Sequence, residues 1–253
     1  MAIRPQHYFS IVRYLFKVLL SIRFWKNQAR FLMLKAYDEV PKISWSQGAE
    51  DLVLDIVLKH KTKGFYIDVG AHDPNLISIT KMFYDRGWTG INIEANPAKL
   101  EKFAQFRPLD INISAAIVSK NEPVELFIMS ATSMSTVNPE VAKDLDEKTQ
   151  TKILKKVVVP GRTLRSVFDE YVHQPVDFLT IDIESRDLEA LKSLEFDSLP
   201  FERWPGWILL ENTMPLAVTL KLDSVIFLLN KGYEIFCVLP HVVIMKVPES
   251  SGR

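Results

Sequence analysis

A single cysteine, Cys237, stands in 253 residues. No disulfide can form within the chain, and a reducing compartment, the cytoplasm, is expected. Glycine is scarce as well, nine in all, and none fall into the G-x-G-x-x-G pattern that lets a pyrophosphate press against backbone N–H groups. A Tyr-x-x-x-Lys pair is missing too, so an NAD-dependent oxidoreductase is only an alternative reading. With no G-x-S-x-G elbow and no Cys–His pairing, covalent catalysis is not expected. His60, His173 and His241 are scattered without metal-ligand spacing. Charge of one sign is not in excess: 31 Lys and Arg balance 31 Asp and Glu, so bulk electrostatics offer nucleic acid no hold. Long apolar runs are lacking. Arg13, Lys17 and Arg23 interrupt every window of about 20 residues near the N-terminus, which argues against a membrane span or a signal peptide there.

The most informative stretch is residues 64–97. Phe65 to Val69 is a short apolar run with one carboxylate, Asp68, and suits a strand buried on both faces of a parallel sheet. Gly70 and Ala71 follow as a turn almost without side chains. Leu76, Ile79 and Phe83 recur at helical spacing, with Gly87 placed as a C-cap. Thr89 to Ile93 reads as a second strand and ends on Glu94. Strand, glycine turn, helix, strand and acid make a nucleotide-binding βαβ unit. A carboxylate about 20 residues past the turn accepts ribose hydroxyls. With one glycine in the turn, the spacing favours a ligand with a ribose and an amino-acid end but no phosphate. S-adenosylmethionine (SAM) has that shape.

Asp68-Val69-Gly70-Ala71-His72 followed by Gly90-Ile91-Asn92-Ile93-Glu94-Ala95-Asn96-Pro97 resembles the FkbM family of SAM-dependent methyltransferases. Ser46-Gln47-x-x-Glu50-Asp51, Thr163-Leu164 and Val176 to Glu184 agree in order, so the resemblance spans roughly residues 44–247. It implies an α/β, Rossmann-like methyltransferase fold and O-methylation, often of sugars or polyketide hydroxyls. The family's Glu-Gly-x-Glu is replaced here by Glu184-Ser185-Arg186-Asp187.

Two domains are expected: a basic extension over residues 1–42 and a methyltransferase domain over residues 43–253. The first 37 residues carry seven basic side chains and no acid, interleaved with Ile11, Leu15, Leu19, Ile22 and Trp25. That is an amphipathic helix. It packs on the domain or on a second copy in a homodimer, or it lies on an anionic membrane, peripheral on the inner face. Ser44 and Gln47 have capping-box spacing for a helix over 47–59. Ile111 to Val118 reads as a third strand, with Ala116 suited to lie along an adenine. Thr132 to Thr136 reads as a solvated loop in preference to a substrate loop. Glu140 to Leu154 reads as an exposed helix, Val218 to Leu229 as a helix stopped at Gly232, and Tyr233 to Leu239 with His241 to Val247 as a closing antiparallel pair. A mainly parallel central sheet with helices on both faces is the expected architecture.

Asp68, Glu94, Asp182 and Glu211 each fall at the end of an expected parallel strand, where ligands of open α/β sheets bind. The cofactor-binding set is Asp68, Gly70, Ala71, His72, Glu94, Ala95, Ala116 and Asp182. Methyl transfer to an alcohol requires alignment and removal of a proton. Asp182, Glu184 and His72 are the candidate bases. Alternatively Asp182 and Glu211 hold Mg²⁺, which would acidify the alcohol. The acceptor is expected to be a small molecule or glycan, with a sugar hydroxyl of a glycan or glycolipid favoured. A catalytically inactive scaffold at a membrane is the alternative from another class.

Overall fold

The computed structural model describes residues 42–184 and 186–248. Residues 1–41 lie outside that range, and with them the amphipathic helix and its membrane or protein partner. From Ser44 onward the chain forms one compact unit. Among the described residues no helix is long and apolar enough to cross a membrane.

Five parallel strands form most of a seven-stranded sheet: β1 (Phe65–Val69), β2 (Thr89–Glu94), β3 (Ile111–Ser114), β8 (Phe178–Ile181) and β9 (Trp207–Glu211). Between β3 and β8 the chain makes four further strands: β4 (Ala116–Ile117), β5 (Val124–Met129), β6 (Ile153–Val159) and β7 (Gly161–Arg162). The hairpin β10 (Glu234–Val238) and β11 (Val242–Lys246) closes the sheet, with β11 antiparallel to β9. The order is β10-β11-β9-β8-β1-β2-β3. Connections run one way from β1 through β2 to β3 and the other way from β8 to β9, so the order reverses between β1 and β8. That reversal opens the crevice in which doubly wound sheets bind ligands.

All five residues of β1 are buried because both sheet faces are covered. Phe65, Ile67 and Val69 join Ile91, Ile93, Leu179, Ile181 and Ile208 in one core. Tyr66, Phe178 and Leu209 face the other side with Leu54, Phe83 and Trp88. Helices α1 (Glu50–Leu58), α2 (Lys81–Asp85), α3 (Pro97–Phe106), α5 (Leu164–Tyr171), α6 (Asp187–Ser193) and α8 (Asp223–Asn230) supply the cover. The register carries the functional consequence. Val69 pairs with both Ile93 and Ile181, and Ile181 pairs with Leu210. Gly70, Glu94, Asp182 and Glu211 are therefore each the next residue past one common rung.

Local readings are corrected in several places. α1 begins at Glu50 after a left-handed Ala49, without a side-chain cap. The Asp51 carboxylate instead accepts Ser44 Oγ at 2.6 Å and the N–H groups of Trp45 at 2.7 Å and Leu52 at 2.8 Å. A carboxylate that gathers several donors outcompetes a hydroxyl cap. The helix expected from Leu76 shrinks to α2, leaving Leu76 and Ile77 exposed. The third strand breaks after Ser114, and β4 pairs with β7 away from the main sheet. Helix α4 (Pro139–Lys148) stops short of Leu154 because Ile153 and its successors pair with β5. The helix expected over Val218–Leu229 is split into α7 (Leu216–Thr219) and α8.

Candidate active site

Two cavities lie at the C-terminal ends of β1, β2, β8 and β9. The larger, about 600 Å³ and open to solvent, is bounded by Gly70, His72, Glu94, Ala95, Ala116, Asp182 and Glu184 of the expected set, together with Lys99, Arg186 and the hydroxyl-rich segment Thr132 to Thr136. The second, about 360 Å³, is bounded by Gln47, Glu50, Ile77, Ile79, Asp182, Glu211 and His241. Asp182 lines both.

Gly70 has φ +83°, and a Cβ there would sit 1.9 Å from the Asp182 carbonyl oxygen. The turn after β1 and the end of β8 thus approach as closely as backbone allows, and only glycine fits. Glu94 is buried. One oxygen accepts the His72 N–H at 2.9 Å and the other the Asn96 N–H at 2.7 Å, with Lys99 Nζ at 4.0 Å. A carboxylate has about four lone-pair positions, so acceptor capacity remains. Burial raises its pKa against the opposing pull of Lys99. His72 occupies a left-handed conformation at φ +53°. Burial first, and Lys99 second, lower its pKa, so the ring is neutral at pH 7.

Asp68 and Ala71 do not line either cavity. The Asp68 carboxylate lies on the opposite face of β1, where it accepts Thr80 Oγ1 at 3.0 Å. Strand alternation puts it there, beside Tyr66. Ala71 is buried and donates its N–H to the Ile93 carbonyl at 3.1 Å. The segment Thr132 to Thr136 is largely solvated, with Thr132, Ser133 and Met134 exposed, and it also borders the larger cavity. A bridge between Phe127 and Thr136 and a bond from Lys99 Nζ to the Thr132 carbonyl (2.9 Å) hold it against the larger cavity.

Desolvation raises Asp182 to about 7 although the residue keeps contact with solvent, and the nearby Glu211 adds to the shift. The pKa of Glu211 is itself raised, by burial and then by Glu184. Glu184, at φ +53°, is raised by burial and then by Asp182. Asp187, which sequence reasoning did not single out as a site residue, is pushed up to about 8 by burial and by Glu211 and Asp182. Its Oδ1 is buried without a hydrogen-bond partner. Gln47 and Glu50 were visible as part of a motif, whereas nothing in the sequence pointed to Ile77 or His241. Among the described residues no group of three or more His, Cys, Asp or Glu is arranged to hold a metal, so Asp182 and Glu211 meet without a third ligand.

A family model described as the methyltransferase FkbM domain matches residues 68–235, about two thirds of the chain. The chain belongs to that family. The matched span begins at Asp68 and includes both arms of the crevice, from Gly70 and Glu94 to Asp182 and Glu211; the remaining wall of the second cavity, from Gln47 and Glu50 and from His241, lies outside it. Among solved structures, precorrin-6y C5,15-methyltransferase from Geobacter metallireducens GS-15 is 15% identical, over 79% of this chain and 87% of that one, with a TM-score of 0.42. The N-terminal domain of human METTL16 in complex with SAH is 14% identical, over 86% of this chain and 79% of that one, with a TM-score of 0.43. No curated protein matches the chain.

Proposed function

We propose that this FkbM domain is a SAM-dependent O-methyltransferase acting on a hydroxyl of a small-molecule or glycan acceptor, with a sugar hydroxyl favoured. The observation that carries the reading is Asp182, the carboxylate common to both cavities. The larger cavity is the cofactor space and the smaller one the acceptor space. Gly70 leaves room where a side chain would collide, and Glu94 has free acceptor capacity for ribose hydroxyls. When bound, SAM supplies an electrophilic methyl group on a sulfonium. Ala116 and Ile117 offer an apolar wall, while His72 closes the turn through Glu94.

At the junction, Asp182 accepts the proton of the acceptor hydroxyl. A pKa of about 7 suits a general base at neutral pH, because it combines a large ionised fraction with useful basicity. Glu211 shares that proton and holds the carboxyl in place. Calorimetry should show S-adenosylhomocysteine binding to the wild-type chain and, with similar affinity, to Asp182→Asn. Methyl transfer by Asp182→Asn should fall about a hundredfold or more, and the wild-type rate should rise with pH through about 7. EDTA should leave the rate unchanged, whereas a metal on Asp182 and Glu211 would require a loss that Mg²⁺ restores. Failure to bind S-adenosylhomocysteine would overturn the reading; activity of Asp182→Asn within a few-fold of wild type would move the base to Glu184 or His72.

A further inference from the structure

The segment from Asp73 to Thr80, between the β1 turn and α2, is fastened along its whole length. Asp73 Oδ1 accepts the N–H groups of Asn75 at 2.9 Å and Leu76 at 3.1 Å, and Oδ2 takes Lys102 Nζ at 2.9 Å. Ser78 N–H donates to the Trp45 carbonyl at 2.9 Å, and Thr80 Oγ1 donates to Asp68. Behind the loop sits Arg107, with no exposed surface. Its Nε donates to the Pro74 carbonyl at 3.2 Å, Nη2 to Ser78 Oγ at 3.2 Å, and Nη1 to Tyr66 Oη at 3.1 Å. Tyr66 in turn donates to Asp110 at 2.6 Å. A guanidinium is stable at such depth only when its donors are met, so the loop cannot shift without stranding it.

What this network holds is an unfavourable conformation. Ile77 has φ +54°, a left-handed geometry in which a β-branched residue is an outlier. Its side chain is not compensated by burial: Ile77 is 62% exposed and Leu76 67%. Ile77 nevertheless lines the acceptor cavity, facing a polar side made by Glu50, Asp182, Glu211 and His241. From Pro74 to Thr80 the loop carries no charge. Backbone strain that the surroundings over-determine clusters at ligand clamps.

We infer that Ile77 is a specificity-determining residue of the acceptor site, contacting an apolar part of the acceptor beside its reacting hydroxyl, and that Arg107 is the residue positioning it. The acceptor class is an amphiphile, with hydroxyls at one end and an apolar substituent at the other. This rests on the methyl-transfer reading of the same site.

The probes are octyl β-glucoside, kept below its micellar concentration, and methyl β-glucoside, titrated calorimetrically into the full chain with and without S-adenosylhomocysteine. The octyl compound should bind at least about tenfold more tightly, a difference of about 1.4 kcal/mol. Ile77→Gly relaxes the left-handed strain and removes the contact, so the ratio should fall to about one to two while S-adenosylhomocysteine affinity stays within about twofold. Arg107→Lys keeps the charge but loses the fork on Pro74, and should lower octyl glucoside affinity without changing that of S-adenosylhomocysteine. Equal affinity of the two glucosides for the wild type, or an unchanged ratio in Ile77→Gly, overturns the assignment. A preserved glucoside preference without any S-adenosylhomocysteine binding would sink the methyl-transfer reading instead, leaving Ile77 as a contact of some other ligand.

Discussion

Glu94 combines two tasks that are separable by substitution. Its carboxylate holds the His72 and Asn96 N–H groups, which shapes the turn and the start of α3, and it retains capacity toward the larger cavity. Hydrogen bonds to a charged acceptor are worth about 1.5–3 kcal/mol each. Glu94→Ala should therefore weaken S-adenosylhomocysteine by at least about tenfold in calorimetry. Glu94→Gln keeps one carbonyl acceptor and should fall between the two. Wild-type affinity in the alanine variant would remove Glu94 from the cofactor site. Asp182 shows the complementary case, a residue whose surroundings rather than its own chemistry make it useful. Desolvated at the crevice beside Glu211 and Glu50, it keeps a proton to near neutral pH, where an isolated aspartate in water would be fully ionised.

At the level of elements, the crevice exists because β1 and β8 are parallel neighbours whose following segments diverge. The divergence starts at Gly70. Gly70→Ala places a methyl group on the Asp182 carbonyl and forces a left-handed alanine. It should lower stability by about 1–3 kcal/mol, read as a lower denaturant midpoint at unchanged slope, and should abolish S-adenosylhomocysteine binding. A variant of wild-type stability and affinity would show that the two segments can separate without loss. The antiparallel pair β5 and β6 adds the other wall. Its core of Leu126, Ile128, Val159 and Ala116 anchors the hairpin from which the Thr132–Thr136 segment reaches the cavity.

Across the whole molecule, carboxylates raised by desolvation set the response to pH. Asp68 and Asp182 are raised to about 7 and Asp187 to about 8, in each case chiefly by burial. Raised carboxylates bind more protons folded than unfolded between the ordinary aspartate range and their folded values. Stability therefore falls as pH rises through that window. The melting temperature should drop between about pH 5 and about pH 8, and Asp187→Asn, which cannot ionise, should flatten the drop. A melting temperature that rises over that interval would show that these groups ionise freely in the folded chain.

A mainly parallel sheet with an antiparallel pair at its end is legible in the sequence, because apolar runs, turn glycines and terminal acids follow period and propensity that act locally. Gly70, Glu94, Asp182 and Glu211 could be placed at strand ends on that basis. Which face each side chain takes was not readable, and Asp68 shows why. One residue of register decides between the crevice and the Thr80 side of β1, and that choice is made by packing across the sheet. The short helix α2 has the same origin: Leu76 and Ile79 recur at helical spacing, yet Arg107, 27 to 33 residues away along the chain from its partners in this loop, holds the segment open. Ile77 and His241, from opposite ends of the sequence, meet around one cavity. Such a meeting depends on strand order, a property of long-range pairing that no local pattern encodes.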